Sequence, residues 1–348
     1  MQVIDFGESI KVEDFSGVDF VREMHRIAER YLADVHEARR LTIDMDGVLI
    51  FDDNAITTAR IVAGDEAQRM FSEYAGLNIR AVAQGETSYC WYAPTLFVGD
   101  LLRGLQPEIN SIIGENMRLI PGAGRTIGCL RELGYDIAAV TAGHLEAARS
   151  VSERVGIERT ISTELGVSNG LYDGSVRRFI GGKHKLEVVR ELLGYNGTHY
   201  NGTHIGDSWS DVETLKAVPN SVAFNPGCEF ALRNARISVL GTSLLGLLPF
   251  FDESGAYDSE VGEEDLPRKI LIMDNRTQDL AQLLAESRGT KKEIGRILDR
   301  TIKYDYVESG IRRVLGERGV KYRTSVDSFM SPEEFDVYAK KAYRELGR

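Results

Sequence analysis

The chain has 348 residues, room for one large domain with insertions or two modest ones, and 43% hydrophobic with 27% charged residues, the balance of a globular protein with a full core. A formal net charge of −11 argues against a general nucleic-acid or anionic-membrane binder. The cysteines, Cys90, Cys129 and Cys228, form no Cys-x-x-Cys pair, so neither a disulfide framework nor a zinc site is expected.

The first residues, Met1-Gln2-Val3-Ile4-Asp5, lack the basic and apolar parts of a secretory signal, and no apolar run reaches the length of a membrane span. A cytoplasmic location with no membrane or nucleic-acid partner is expected. Val18 to Val35 has the periodicity of an amphipathic helix, with Val21, Met24, Ile27, Ala28, Tyr31 and Leu32 on one stripe. Residues 1–39 are therefore expected to be a helical segment ahead of the first strand.

Arg40-Leu41-Thr42-Ile43-Asp44-Met45-Asp46-Gly47 has the alternation of a short buried strand ended by glycine. Alternate strand residues share a face, so Asp44 and Asp46 lie together at the strand's carboxyl end, the edge where open α/β sheets bind ligands. Two such carboxylates can hold a hard cation, or divide nucleophile and acid/base roles. Taken alone, the stretch is equally compatible with a strand running into an Asp-Gly turn.

Residues 52–118 carry mainly helical pattern, with helices expected at Ile56 to Tyr74, Leu96 to Leu105 and Ile109 to Ile120, and they are expected to form an inserted helical subdomain. The pattern resets at Pro121-Gly122. A helix over Arg125 to Leu133 is followed by a strand over Tyr135 to Val140, with a turn at Thr141-Ala142-Gly143. A helix over Leu145 to Val155 leads to a short strand at Arg159 to Ser162. Asn169-Gly170 marks a hairpin. Lys185 to Leu193 is helical, Thr203 to Gly206 a strand, Asp211 to Ala217 a helix and Ser221 to Phe224 a strand. This alternation predicts a parallel sheet with helices on both faces. From residue 252 an acidic linker leads into a charged helical extension, 252–348, with no strand expected after about Met273.

Four polar patches fall in order at strand ends: Asp44-x-Asp46-Gly47; Thr141-Ala142-Gly143, a hydroxyl followed by small residues whose N–H groups suit an anion; a lysine at a helix start; and Gly206-Asp207-Ser208-Trp209-Ser210-Asp211. Each alone is a common turn or cap. Together they supply a nucleophile, an acid/base, a cation site and donors to phosphate oxygens. The lysine is Lys185, in phase with Val188, Val189 and Leu192, with Lys183 as the alternative. Gly181-Gly182-Lys183 fails the P-loop pattern, because the required earlier glycine is Arg177 and no Ser or Thr follows. His144 is within reach of the site, although a histidine at a helix start is usually structural or exposed.

This order and spacing, over about 41–228, resembles the haloacid dehalogenase superfamily, and within it the phosphoserine-phosphatase branch. The resemblance implies a Rossmann-like core from 40–51 and 119–251 with a helical cap at 52–118. It implies a Mg²⁺-dependent phosphatase acting on a small phosphorylated metabolite through an aspartyl phosphate. On that pattern Asp44 is the nucleophile, Asp46 the acid/base that also offers its backbone carbonyl to the metal, and Thr141 and Ala142 hold phosphoryl oxygens. Lys185 (or Lys183) offsets charge, and Asp207 and Asp211 join Asp44 at Mg²⁺. Asp53 and Arg60 are candidates for contacting the rest of the substrate, and Trp209 replaces a small residue and is expected to narrow the site. A phosphotransferase on the same fold, a non-catalytic accessory subunit and a homo-oligomer are the alternatives the pattern leaves open.

Overall fold

The computed structural model describes residues 2–5, 10–11, 39–83, 92–251, 269–274, 280–301 and 304–320. Within them run β1 (Gln2–Asp5), β2 (Ile10–Lys11), β3 (Arg40–Ile43), α1 (Asn54–Ala83), α2 (Tyr92–Leu102), α3 (Glu108–Asn116), α4 (Ala123–Glu132), β4 (Asp136–His144) and α5 (Leu145–Val155). The chain continues through β5 (Arg159–Ser168), β6 (Leu171–Arg178), α6 (Lys183–Leu192), β7 (Thr203–Gly206), α7 (Val212–Ala217), β8 (Ser221–Phe224), α8 (Glu229–Asn234), β9 (Ile237–Gly241), β10 (Lys269–Asp274), α9 (Leu280–Thr301) and α10 (Tyr304–Glu317). The expected helix over Val18–Val35 and the acidic linker from residue 252 lie outside the described residues.

The strands form one sheet in the order β2-β1-β10-β9-β8-β7-β3-β4-β5-β6. β3 pairs in parallel with β4 on one side and β7 on the other, so the chain winds outward from β3 in one direction and later returns to the opposite side. The carboxyl end of β3 is the switch point where such sheets leave a crevice. Alternate residues of β4 separate onto two cores: Ala139 joins the main cluster and Val140 packs with Ile180, Val189, Leu193 and Val218. β8 divides likewise, with Val222 and Phe224 on one side and Ala223 with Leu215, Ala231 and Ala235 on the other. A strand buried on both faces is what helices on both sides of a parallel sheet require.

β5 and β6 form the expected hairpin, with Asn169 at φ 52° and Gly170 at φ 78° in the left-handed region that an Asn-Gly turn needs. Three local expectations are revised. Thr141-Ala142-Gly143 is not a turn after the strand but part of β4, which continues to His144 across a register shift against β5. β5 is longer than expected because its second half is paired by β6. The helix expected over Ile56 to Tyr74 runs from Asn54 to Ala83, broken at Gly64, whose φ of 80° and ψ of −172° are open to glycine and strained for other residues.

At both ends of the chain the helical expectation gives way to strands. β10 lies inside the region expected as a helical extension and pairs antiparallel with β9, while β1 from the region expected as a helical lead pairs in parallel with β10. Short apolar runs such as Lys269-Ile270-Leu271-Ile272-Met273-Asp274 are too brief to show a period, and only the distant partner strand decides them. α9 and α10 are helical as expected. None of the described helices is long and apolar enough to cross a membrane.

The inserted segment has its own closure. Asp52 accepts from Arg118 at both carboxylate oxygens, 3.1 Å from Nε to Oδ2 and 2.6 Å from Nη2 to Oδ1, and Ile120 N–H donates to Leu49 O at 2.9 Å. The two stems of the insert are thereby held side by side. α3 is pressed into the core helix α5: a Cβ at Gly114 would sit 2.7 Å from Ala147 Cα. Arg154 donates to Gly114 O and Met117 O at 2.8 and 2.7 Å. α10 braces the outer side through Ile311 and Leu315, with Arg318 paired to Glu115 at 2.8 Å. Replacing Gly114 with Ala should cost about 1–3 kcal/mol by forcing the two backbones apart. Gly128→Ala, in open space on α4, should be neutral or stabilising. Urea unfolding of both variants checks this, and equal midpoints would contradict the close helix contact.

His144, at the end of β4, is 1% exposed, and neither ring nitrogen has a hydrogen-bond partner among the described residues. Burial pushes its pKa from the ordinary 6.5 down to about 4, so the folded protein holds it neutral. The unfolded chain takes up the proton first as pH falls, so this stability is full above about 6.5 and drains away towards 4. The loss amounts to about 3 kcal/mol over that window. His144→Leu should flatten this part of the acid limb, measured as urea midpoints between about pH 7 and about pH 4. An acid limb unchanged by the substitution would mean His144 is not the proton acceptor.

Candidate active site

The site is assembled at the carboxyl ends of β3, β4 and β7. Asp44 follows β3 directly and its N–H donates to Ile205 O on β7 at 2.8 Å. Its side chain is 2% exposed. From the start of α6, Lys185 reaches in with no exposed surface, placing Nζ 2.8 Å from Asp44 Oδ1 and 2.6 Å from Asp211 Oδ1. Lys183, the alternative, is exposed on the same helix. The helical phase places Lys185 on the buried side with Leu186 and Val189.

Asp207 directly follows β7, and it approaches the first loop through glycine: a Cβ on Gly47, at φ 75°, would lie 2.6 Å from Asp207 Cγ. Gly47 thus serves twice, giving the tight loop after Asp46 its backbone conformation and leaving space for a carboxylate. Oxygen atoms of Asp44, Asp207 and Asp211 lie within 4.8 Å of one another. Asp207 Oδ1 is buried with no hydrogen-bond partner among the described residues. Asp211 is more occupied. Its Oδ1 meets Lys185 and, at 3.0 Å, His204 Nε2, while Oδ2 accepts from the N–H groups of Asp207 and Ser208 at 3.3 and 3.4 Å. His204 is anchored in turn by Thr42, whose Oγ1 is 3.0 Å from Nδ1. An all-oxygen set with one bare carboxylate oxygen fits a hard divalent cation, Asp44 and Asp207 having more capacity left for it than Asp211.

The electrostatics separate these carboxyls. Burial, with the charge of Asp211, raises Asp44 to about 7 against the lowering effect of Lys185. Burial also raises Asp46 well above the usual carboxylate range, reinforced by Asp53 and Asp44. Asp207 rises for the same leading reason, with Asp44 and Asp211 adding to it. Asp211 goes the other way: its pairing with Lys185 and His204 overcomes burial and holds it ionised. Neighbouring carboxyls pushed apart in this way are the arrangement acid/base chemistry uses.

A pocket of about 30 Å³ opens beside Asp44 and Asp46, lined from the insert by Asp53, Ala55, Phe71, Pro94 and Thr95, and from the core by Ala142, Gly143, Ser208 and Ser210. Ala142 therefore reaches the pocket. Thr141 is buried beneath it, its Oγ1 accepting from Gly143 N–H at 3.0 Å. Asp53 lines the pocket while its Oδ1 caps α1 through Ile56 N–H at 2.9 Å. Arg60 is not brought there; its Nε pairs with Asp65 at 3.1 Å. Trp209 does not line the pocket either but stacks on Phe230 with ring centroids 4.6 Å apart, so the expected narrowing does not come from it. His204 and Asn54 belong to the site and were missed from sequence. His204 sits in an ordinary buried strand position, and Asn54 looks like any polar residue at a helix start.

Comparison with known proteins agrees with this architecture. A phosphoserine phosphatase of Archaeoglobus fulgidus is 28% identical over 127 residues, which cover 36% of this chain and 37% of the relative. One from Streptomyces coelicolor is 28% identical over 127 residues, 36% of this chain and 31% of the relative. The chain thus spans about a third of the length of these curated relatives. Among solved structures, a gene product of Archaeoglobus fulgidus matches with a TM-score of 0.57 at 18% identity, over 74% of this chain and 97% of that one. A probable phosphoserine phosphatase from Vibrio cholerae, unliganded, matches with a TM-score of 0.50 at 16% identity, over 66% of this chain and 70% of that one. At such identities the structures share the fold. The family model of haloacid dehalogenase-like hydrolases matches residues 41–216, just over half of the chain, and the protein belongs to that family.

Proposed function

We propose that the protein is a Mg²⁺-dependent phosphomonoesterase that acts on a small phosphorylated metabolite through an acyl phosphate on Asp44. The reading rests above all on the buried ammonium of Lys185, 2.8 Å from Asp44 Oδ1. It keeps a desolvated carboxylate available as a nucleophile and offsets charge when a phosphate arrives. Asp44 and Asp207, with the backbone carbonyl of Asp46 and the more fully bonded Asp211, would hold the Mg²⁺, directly or through water. When bound, the cation supplies positive charge against the phosphate oxygens.

The protein's own groups divide the work as follows. A carboxylate oxygen of Asp44 attacks phosphorus as the bond to the leaving oxygen breaks, and Asp46, whose pKa burial raises, gives that oxygen its proton. The alcohol departs. Asp46, now a carboxylate, takes a proton from water as the water oxygen attacks phosphorus, releasing inorganic phosphate and restoring Asp44. The Thr141 hydroxyl, still able to donate, and the backbone of Ala142, which lines the pocket, would serve the phosphoryl oxygens once a phosphate brings them into reach. The phosphoserine activity of the named relatives is not carried over: of the candidate arginines, Arg60 pairs with Asp65 and Arg103 with Asp100.

The test is hydrolysis of p-nitrophenyl phosphate with and without Mg²⁺, by wild type and Asp44→Asn. The carboxamide preserves shape and removes the nucleophile, so turnover should require Mg²⁺ and fall on the order of 10³-fold or more in the variant. Undiminished turnover in Asp44→Asn would remove the acyl-phosphate mechanism.

A further inference from the structure

The residue that joins the acid/base to the phosphate loop is Asn54, the first residue of α1 and 2% exposed. Its backbone N–H donates to Asp46 Oδ1 at 3.0 Å. Its side-chain Oδ1 accepts from His144 N–H at 2.9 Å. It also lies against Gly143, where a Cβ would stand 3.4 Å from both Asn54 Cβ and Oδ1. One residue therefore touches the loop after β3 with its main chain and the end of β4 with its side chain. Asn54 is not needed to start its helix, because Asp53 already caps α1 through Ile56 N–H. Helix capping therefore does not account for the amide.

We propose that Asn54 is a positioning residue for proton transfer by Asp46. The side-chain bond to His144 N–H fixes where Asn54 N–H stands, and that N–H takes up Oδ1 of Asp46, which leaves Oδ2 to carry the transferred proton. The carboxyl is thus turned so that its hydrogen faces the leaving oxygen held between Asp44 and the Ala142–Gly143 wall. The proton passes from Oδ2 to the leaving oxygen as its bond to phosphorus breaks, and the product is a neutral alcohol. A carboxyl free to rotate would present the hydrogen in that direction only part of the time. Proximity without orientation forfeits much of the benefit of a general acid.

This inference rests on the phosphatase reading, and its test separates the two. The probes are p-nitrophenyl phosphate, whose leaving group departs with little help from an acid, and phenyl phosphate, of similar size and in need of a proton. The quantity is kcat/KM with Mg²⁺, which reports steps up to departure of the leaving group. Asn54→Ala should lose about 100-fold on phenyl phosphate and less than about tenfold on p-nitrophenyl phosphate. Asn54→Asp, which keeps an accepting oxygen for His144 N–H, should keep the wild-type ratio between the substrates. Thermal melting confirms that each variant is folded at the assay temperature. Equal losses on both substrates in Asn54→Ala would show a merely structural residue and overturn the proposal. So would a ratio changed alike in both variants, which would assign the effect to the amide nitrogen. If wild type turns over neither substrate, the phosphatase reading fails and this inference fails with it.

Discussion

The site depends on one buried ammonium. Lys185 has no exposed surface and sits between Asp44 and Asp211. Removing a charge from water is costly, and here the cost is offset only because two carboxylates meet it at hydrogen-bond distance. Deleting one member of such a set leaves the others uncompensated, a loss of about 3–5 kcal/mol in typical buried pairs. The set is also unbalanced. Three carboxyls, Asp44, Asp207 and Asp211, lie together; Lys185 pairs with Asp44 and Asp211, Lys291 of α9 acts on Asp207, and burial lowers the His204 pKa. Burial leads the upward shifts of Asp44 and Asp207 and the neighbouring carboxylates add to them, so protonation is one way to remove the surplus negative charge. A divalent cation is the other. On the proposed phosphatase reading an anionic substrate calls for the second way, because a cation adds positive charge beside Lys185.

The backbone makes this density of charge possible. Gly47 leaves room for Asp207, and Gly206 leaves room for Asp211, whose Cβ would lie 2.7 Å from a Cβ added there. Asp211 is fixed by capping the turn it belongs to, with Ser208 and Asp211 satisfying each other's backbone donors. The same bonds that start the short helical turn therefore aim a carboxylate at Lys185. Structural capping and site electrostatics are here one set of contacts.

This explains what was legible in the sequence. Asp44, Asp46, Asp207 and Asp211 lie in stretches where strand, turn and carboxylate are neighbours along the chain, and Lys185 is chosen by helical phase. Such information is local. The pairing of β10 with β1 is not, because it joins segments more than 260 residues apart through runs of four and six residues. Thr141–His144 looked like a turn because glycine follows a small residue there, yet the paired edge of β5 draws it into the sheet with a shifted register. His204 and Asn54 were invisible for a related reason. Their identities are ordinary for a strand and a helix start, and only the fold sets the one against Asp211 and the other between Asp46 and His144. Arg60 and Trp209 failed in the opposite sense: their chemistry suits a pocket, but Asp65 and Phe230 engage them elsewhere.

The inserted helices form one wall of the pocket of about 30 Å³, which has room for roughly two waters. On the insert's side α3 is held firmly, since Gly114 is packed on the Ala147 backbone and Arg154 holds the end of the helix. The first turn of α1 is equally constrained, because Asn54 is bonded to Asp46 and His144. Phe71, Pro94 and Thr95 lie beyond Gly64, where α1 is already broken. The insert is therefore tied to the core at two separate places, through Asn54 beside the reacting groups and through Gly114 and Arg154 away from them.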